Sequence, residues 1–92
     1  MTMNRTAETV KLRRGNERYY VEANGKSLGW VVKRDGYWFA YRRDESGLTG
    51  SPINQGESLR RDAVLSLLIK SHVDFNVVSS WYDRQLDRSL GL

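Results

Sequence analysis

Ninety-two residues can bury one hydrophobic core and leave nothing for a second, so this chain is expected to be a single domain. With 39% apolar and 28% charged residues, and with three Trp, five Tyr and two Phe, the composition excludes a disordered chain. The absence of cysteine excludes a disulfide framework and thiolate chemistry and favours an intracellular, cytoplasmic home. A net charge of +4 favours an anionic partner, either nucleic acid or an acidic protein surface.

Residues 1–8 are polar and aperiodic, which predicts a flexible arm ahead of one domain over residues 9–92. The start has no apolar signal-peptide core, and no stretch approaches the roughly 18 apolar residues of a membrane span. From Thr9 the pattern becomes alternating. Val10 and Leu12 alternate with Lys11 and Arg13, and three further runs, Arg18–Ala23, Lys26–Arg34 and Tyr37–Arg43, are rich in aromatic and β-branched residues. These are four candidate strands.

Between them lie Gly15-Asn16, Asn24-Gly25 and Asp35-Gly36, each a dipeptide of the two-residue hairpin type, so the strands should form an antiparallel meander. Tight turns also dictate register. Asn24-Gly25 would pair Ala23 with Lys26, Val21 with Leu28 and Tyr19 with Trp30, leaving Tyr20 opposite Gly29. Asp35-Gly36 would pair Arg34 with Tyr37, Val32 with Phe39, Trp30 with Tyr41 and Gly29 with Arg42. Gly15-Asn16 would set Arg13 opposite Arg18 and Lys11 opposite Tyr20. Together these registers give one apolar face made of Val10, Leu12, Tyr19, Val21, Leu28, Trp30, Val32, Phe39 and Tyr41, which is the expected core side.

Residues 44–57 are rich in Gly, Ser and Asn and read as a long connection. Ser58 is the expected N-cap of a helix running to about Ser71, with Ala63, Val64, Leu67 and Leu68 as one apolar stripe and Leu65 and Ile69 as a second. Two stripes require two neighbours, the sheet and a last helix carrying Val77, Val78, Trp81, Tyr82 and Leu86. Helical spacing starts that helix ahead of Val77, and the capping-box spacing of Ser80 and Asp83 offers Trp81 as the alternative start. The expected fold is α+β, an antiparallel β-meander of three to four strands covered on one face by a long helix and a second C-terminal helix.

The face left open would then show Lys11, Arg13, Arg18, Tyr20, Glu22, Ser27, Gly29, Val31, Lys33, Trp38, Ala40 and Arg42. That set is basic and aromatic. Arg13 directly across from Arg18 would be a like-charge pair that an anion relieves. Tyr20 and Trp38 would stack on bases or sugars while cations neutralise phosphates, and Gly29 would admit another backbone. The expected nucleic-acid-binding residues are therefore Lys11, Arg13, Arg18, Tyr20, Lys33, Trp38 and Arg42. The plainer alternative is that Lys and Arg protect exposed strands from pairing, with Trp38 as cross-strand cover for Gly29. Arg60 and Arg61 stand at the positive end of the main helix, where a phosphate, or Glu57 and Asp62, would offset them.

The stretch Gly36-Tyr37-Trp38-Phe39-Ala40-Tyr41-Arg42 ahead of Ser58-Leu59-Arg60-Arg61-Asp62-Ala63-Val64, in the order three strands then helix, resembles the Apetala-type DNA-binding domain and its relatives at the N-termini of phage integrases. The resemblance covers roughly residues 17–70. It implies duplex recognition from the exposed sheet face by Arg18, Lys33, Trp38 and Arg42, with the helix behind. The chain departs from that pattern in its 44–57 connection and its extra C-terminal helix. In size and style the sequence also resembles orphan proteins of actinobacteria and their phages, many of which bind a host protein.

Catalysis has little support. His72, the only histidine, ends a helix beside apolar residues, and no nucleophile motif, phosphate-cradling loop or metal-ligand spacing occurs, so no cofactor or metal is expected. Two functions stay open: a nucleic-acid-binding module on the basic sheet face, and a protein-binding module whose hot spot is Trp38 or Trp81 with an arginine nearby. Removing Arg18, Lys33 and Arg42 together should abolish nucleic-acid binding without unfolding the chain, provided that all three are exposed.

Overall fold

The alternating runs form four strands, as their β-branched and aromatic content requires, in the computed structural model, which describes residues 10–43 and 51–89, residues 88 and 89 by backbone alone. The expected arm at residues 1–8, residues 44–50 of the long connection and the last three residues lie outside the described residues. Strands β1 (Val10–Arg14), β2 (Tyr19–Ala23), β3 (Lys26–Arg34) and β4 (Tyr37–Arg42) make one antiparallel sheet in the order β1-β2-β3-β4. Helices α1 (Arg60–Lys70) and α2 (Phe75–Ser89) follow, α1 packing on β3 and β4 and α2 reaching β1. The fold is α+β with a meander, as expected.

Two of the three turns have the expected form. Asn24-Gly25 and Asp35-Gly36 hold both central residues at positive φ, 54° and 79° in one and 54° and 87° in the other, the twist that joins strands through two residues. All four pairs expected between β3 and β4 are present, from Arg34 with Tyr37 to Gly29 with Arg42. The Gly15-Asn16 turn is different. Arg14 pairs with Tyr19, so the loop is residues 15–18, closed by the Gly15 N–H donating to the Arg18 carbonyl at 2.8 Å with Glu17 at φ 65°. Arg13 therefore faces Tyr20 rather than Arg18, Lys11 faces Glu22 rather than Tyr20, and Arg13 Nη2 reaches Glu22 Oε2 at 3.3 Å. The expected like-charge pair does not form.

The larger correction lies between β2 and β3. Ala23 pairs with Lys26 and Glu22 with Ser27, but Val21 then pairs with Gly29, Tyr20 with Trp30 and Tyr19 with Val31, so Leu28 is an extra residue in β3. This bulge is built on Gly29, at φ 151°, where a Cβ would run into the Tyr41 carbonyl oxygen. One inserted residue turns every later side chain over. Val31 and Ala40, expected on the open face, are 0% exposed in the core, with Trp38 packed against it. Trp30, Val32 and Phe39, expected in the core, lie half-buried on the opposite face, and Tyr41 on that face is nevertheless buried, 9% exposed. Val10, Val21 and Leu28 are buried as expected, with Leu12 and Tyr19 partly so.

Against this sheet α1 lays Ala63, Val64, Leu67 and Leu68, the expected stripe, all fully buried. Burying each Val or Leu stabilises the fold by about 1.5–3 kcal/mol. Leu59, not Ser58, occupies the N-cap, and no side chain caps the helix. The physical reason is the preceding pairing: Trp38 N–H donates to Glu57 O at 2.7 Å and Glu57 N–H to Trp38 O at 2.9 Å, holding the chain extended past Ser58. That segment also covers the outer edge of β4, with Ile53 N–H donating to Ala40 O and Ala40 N–H donating to Asn54 Oδ1. Helix α2 begins at Phe75 rather than Trp81 because Asp74 starts it, its Oδ1 accepting from Asn76 N–H at 2.8 Å and its carbonyl from Val77 and Val78. Trp81 is a core residue, 5% exposed, and no helix among the described residues is long and apolar enough to cross a membrane.

Candidate nucleic-acid interface

The face of the sheet away from the helices carries a row of alternating cations and rings. Trp30 and Tyr41, cross-strand partners, stack with centroids 5.8 Å apart and planes inclined by 15°. Arg18 lies over the Trp30 ring at 4.9 Å, and Arg34 lies over Tyr41 at 5.7 Å with Nη1 donating to its hydroxyl at 3.3 Å. Cation–π contact of this kind holds each guanidinium over a ring. Beside the row stand Lys11 and Arg13, exposed, and Tyr20, whose ring packs on Gly15. Phe39 closes the β4 side, its ring 3.2 Å from where a Gly56 Cβ would stand.

The seven residues expected to bind together are divided by the sheet. Lys11, Arg13, Arg18 and Tyr20 are on the open face, whereas Lys33, Trp38 and Arg42 are on the helix face because the bulge turned β3 and β4 over. The four positions carried by the family resemblance are split likewise, Arg18 on one side and Lys33, Trp38 and Arg42 on the other. Arg42 is exposed and donates from Nη1 to the Lys70 carbonyl at 3.5 Å, a cation at the negative end of α1. Trp38 is half-buried in a second row: Tyr19 lies 6.1 Å away, Arg60 sits over Tyr19 at 4.4 Å and over Trp38 at 5.8 Å, and Arg14 sits 5.7 Å from Tyr19. Arg60 at the start of α1 is thus held by aromatic faces, and Asp62 in the first turn accepts a 2.7 Å hydrogen bond from Tyr82.

Trp30, Arg34 and Tyr41 were not among the expected site residues. The signal for them was Gly29, a lone glycine inside a nine-residue strand run, which marks a bulge as readily as a close approach. His72 follows α1 at φ 59° and its N–H donates to Ile69 O at 3.1 Å, a helix-ending role. Among the described residues no group of three or more His, Asp or Glu side chains is placed to hold a metal. The hydrogen bond to Asp62, first, and burial, second, push the Tyr82 hydroxyl above its ordinary pKa. No family model, no curated protein and no solved structure matches this chain.

Proposed function

We propose that this chain is a non-enzymatic module that binds nucleic acid, DNA in the first instance, on the open face of its sheet. The observation that carries the reading is the Arg18–Trp30–Tyr41–Arg34 row, in which two arginines flank a half-buried Trp30 stacked on a buried Tyr41, on a face that no described helix covers. Bases stack on aromatic rings and on arginine planes alike, and a four-stranded sheet is a suitable platform for several at once. Lys11, Arg13, Arg18 and Arg34 supply the phosphate neutralisation, which makes affinity salt-dependent. A cytoplasmic setting goes with this reading.

A titration of fluorescent single-stranded and duplex DNA at two salt concentrations, followed also by tryptophan emission, tests it. Binding that weakens steeply with salt and is lost in Arg18→Ala/Trp30→Ala supports the reading, and no binding at low salt overturns it. A protein partner is the second reading, for which one observation speaks: Phe75 and Ile69, 79% and 58% exposed, border an apolar groove of ≈ 580 Å³ between α1 and α2. A host-protein inhibitor of the kind seen among small phage proteins would use such a groove, and an acidic partner would use the basic sheet face instead.

A further inference from the structure

The ends of the strands add a second element to the open face. β1 ends, β2 begins, β3 ends and β4 begins at one edge of the sheet, and there Arg14 is the cross-strand partner of Tyr19 and Lys33 the partner of Trp38. A cleft of ≈ 510 Å³ opens at this edge, lined from the open side by Arg18 and Arg34 and from the helix side by Arg14, Lys33 and Trp38, with Glu17 as its one carboxylate. Arg18 and Arg34 belong both to this cleft and to the open-face row. The two surfaces are therefore continuous around the edge of the sheet. Lys33 and Arg14 are exposed, so their charges are open to phosphates at the mouth of the cleft.

We propose that the ligand is a single strand, which runs along the open face, turns the edge of the sheet and enters this cleft, where Arg14 and Lys33 hold its phosphates. The inference rests on the open-face reading above and makes it specific: a duplex, with a persistence length of about 150 base pairs, does not bend around the thickness of one sheet, whereas a single strand does. The test measures binding of oligothymidylates of roughly 4 and roughly 15 nucleotides, lengths that span the range of site sizes of small single-strand platforms, over a salt series. Arg14→Ala/Lys33→Ala should lower the log affinity against log salt slope for the longer oligomer by about 1.4, Lys33→Ala alone by about 0.7, and leave the shorter oligomer unchanged. Circular dichroism checks the fold of both variants, and the single variant, at an exposed position, serves if the double one unfolds. An unchanged slope in a variant of a protein that does bind overturns the cleft alone, as does duplex binding as tight as single-strand binding. Failure of the unaltered protein to bind either oligomer at low salt overturns the open-face reading, and this one with it.

Discussion

On the open face Arg18 and Arg34 bracket the stacked pair Trp30 and Tyr41, while on the helix face Arg60 and Arg14 bracket Tyr19 and Trp38. The residue types and distances are nearly the same, but the surroundings are not. Tyr19 and Trp38 pack against the core below the first turn of α1, so their rings contribute to folding. Trp30 stands outside that core cluster, half-buried on the opposite face between Tyr41 and Arg18. An aromatic side chain beside an arginine thus packs on the helix-covered core or lies outside it according to which face it occupies, and in this molecule the bulge at Gly29 decides the face.

The largest effect should come from removing that decision. Gly29→Ala sets a Cβ against the Tyr41 carbonyl at a φ that other residues avoid, and should cost about 3 kcal/mol or more, read as a fall in the urea midpoint. A loss below about 0.5 kcal/mol would show that the bulge is not needed. Trp38→Ala should then cost about 3 kcal/mol of stability, whereas Trp30→Ala should cost about 1 kcal/mol and mainly weaken nucleic-acid binding. If chemical denaturation ranks the two the other way, the faces are reversed.

Tyr82→Phe should cost about 1 kcal/mol, the value of one partly exposed hydrogen bond to a carboxylate. Because the folded state holds the Tyr82 proton more tightly than the unfolded chain, this stabilisation is complete below the unfolded tyrosine pKa, near 10, and declines as pH rises through the higher folded value. Stability of the Phe variant between pH 9 and 11, set against that of the unaltered chain, should lack that part of the alkaline decline; parallel profiles would remove Asp62 as the cause. The smallest change is expected from Arg13→Ala, whose partner Glu22 is reached from a side chain 71% exposed, so the thermal midpoint should barely move, for a cost under about 0.5 kcal/mol. The same variant should weaken nucleic-acid binding measurably, separating the two roles of the open face.

Two errors of register had opposite consequences. In the β1–β2 hairpin the loop is longer than its Gly15-Asn16 dipeptide implies, and the pairing slips by two residues, an even number that leaves Val10, Leu12, Tyr19 and Val21 facing the core. Between β2 and β3 a single extra residue, Leu28, is an odd insertion, and it turns Trp30, Val32, Phe39 and Tyr41 to the face away from the helices, where Tyr41 is still buried, and Val31, Trp38 and Ala40 toward α1. Alternation alone could not reveal this, because the strand is apolar on both faces around Trp30-Val31-Val32 and either set would make an acceptable core. The helix stripe at Ala63, Val64, Leu67 and Leu68 had no such ambiguity.

Local chemistry in the chain determined the four strands, the two primed turns, the β3–β4 register, the two helices and the basic, aromatic character of the sheet, since each rests on residues close in sequence. Contacts between distant residues decided the remainder. The Trp38–Glu57 pairing set where α1 begins, Asp62 found Tyr82, and the fit of Gly29 against the Tyr41 backbone selected which of two apolar sets would meet α1. That last choice divides Lys33, Trp38 and Arg42 from Arg18. It compares the packing of two whole faces against the same helix, a quantity that exists only once the sheet and helix have met.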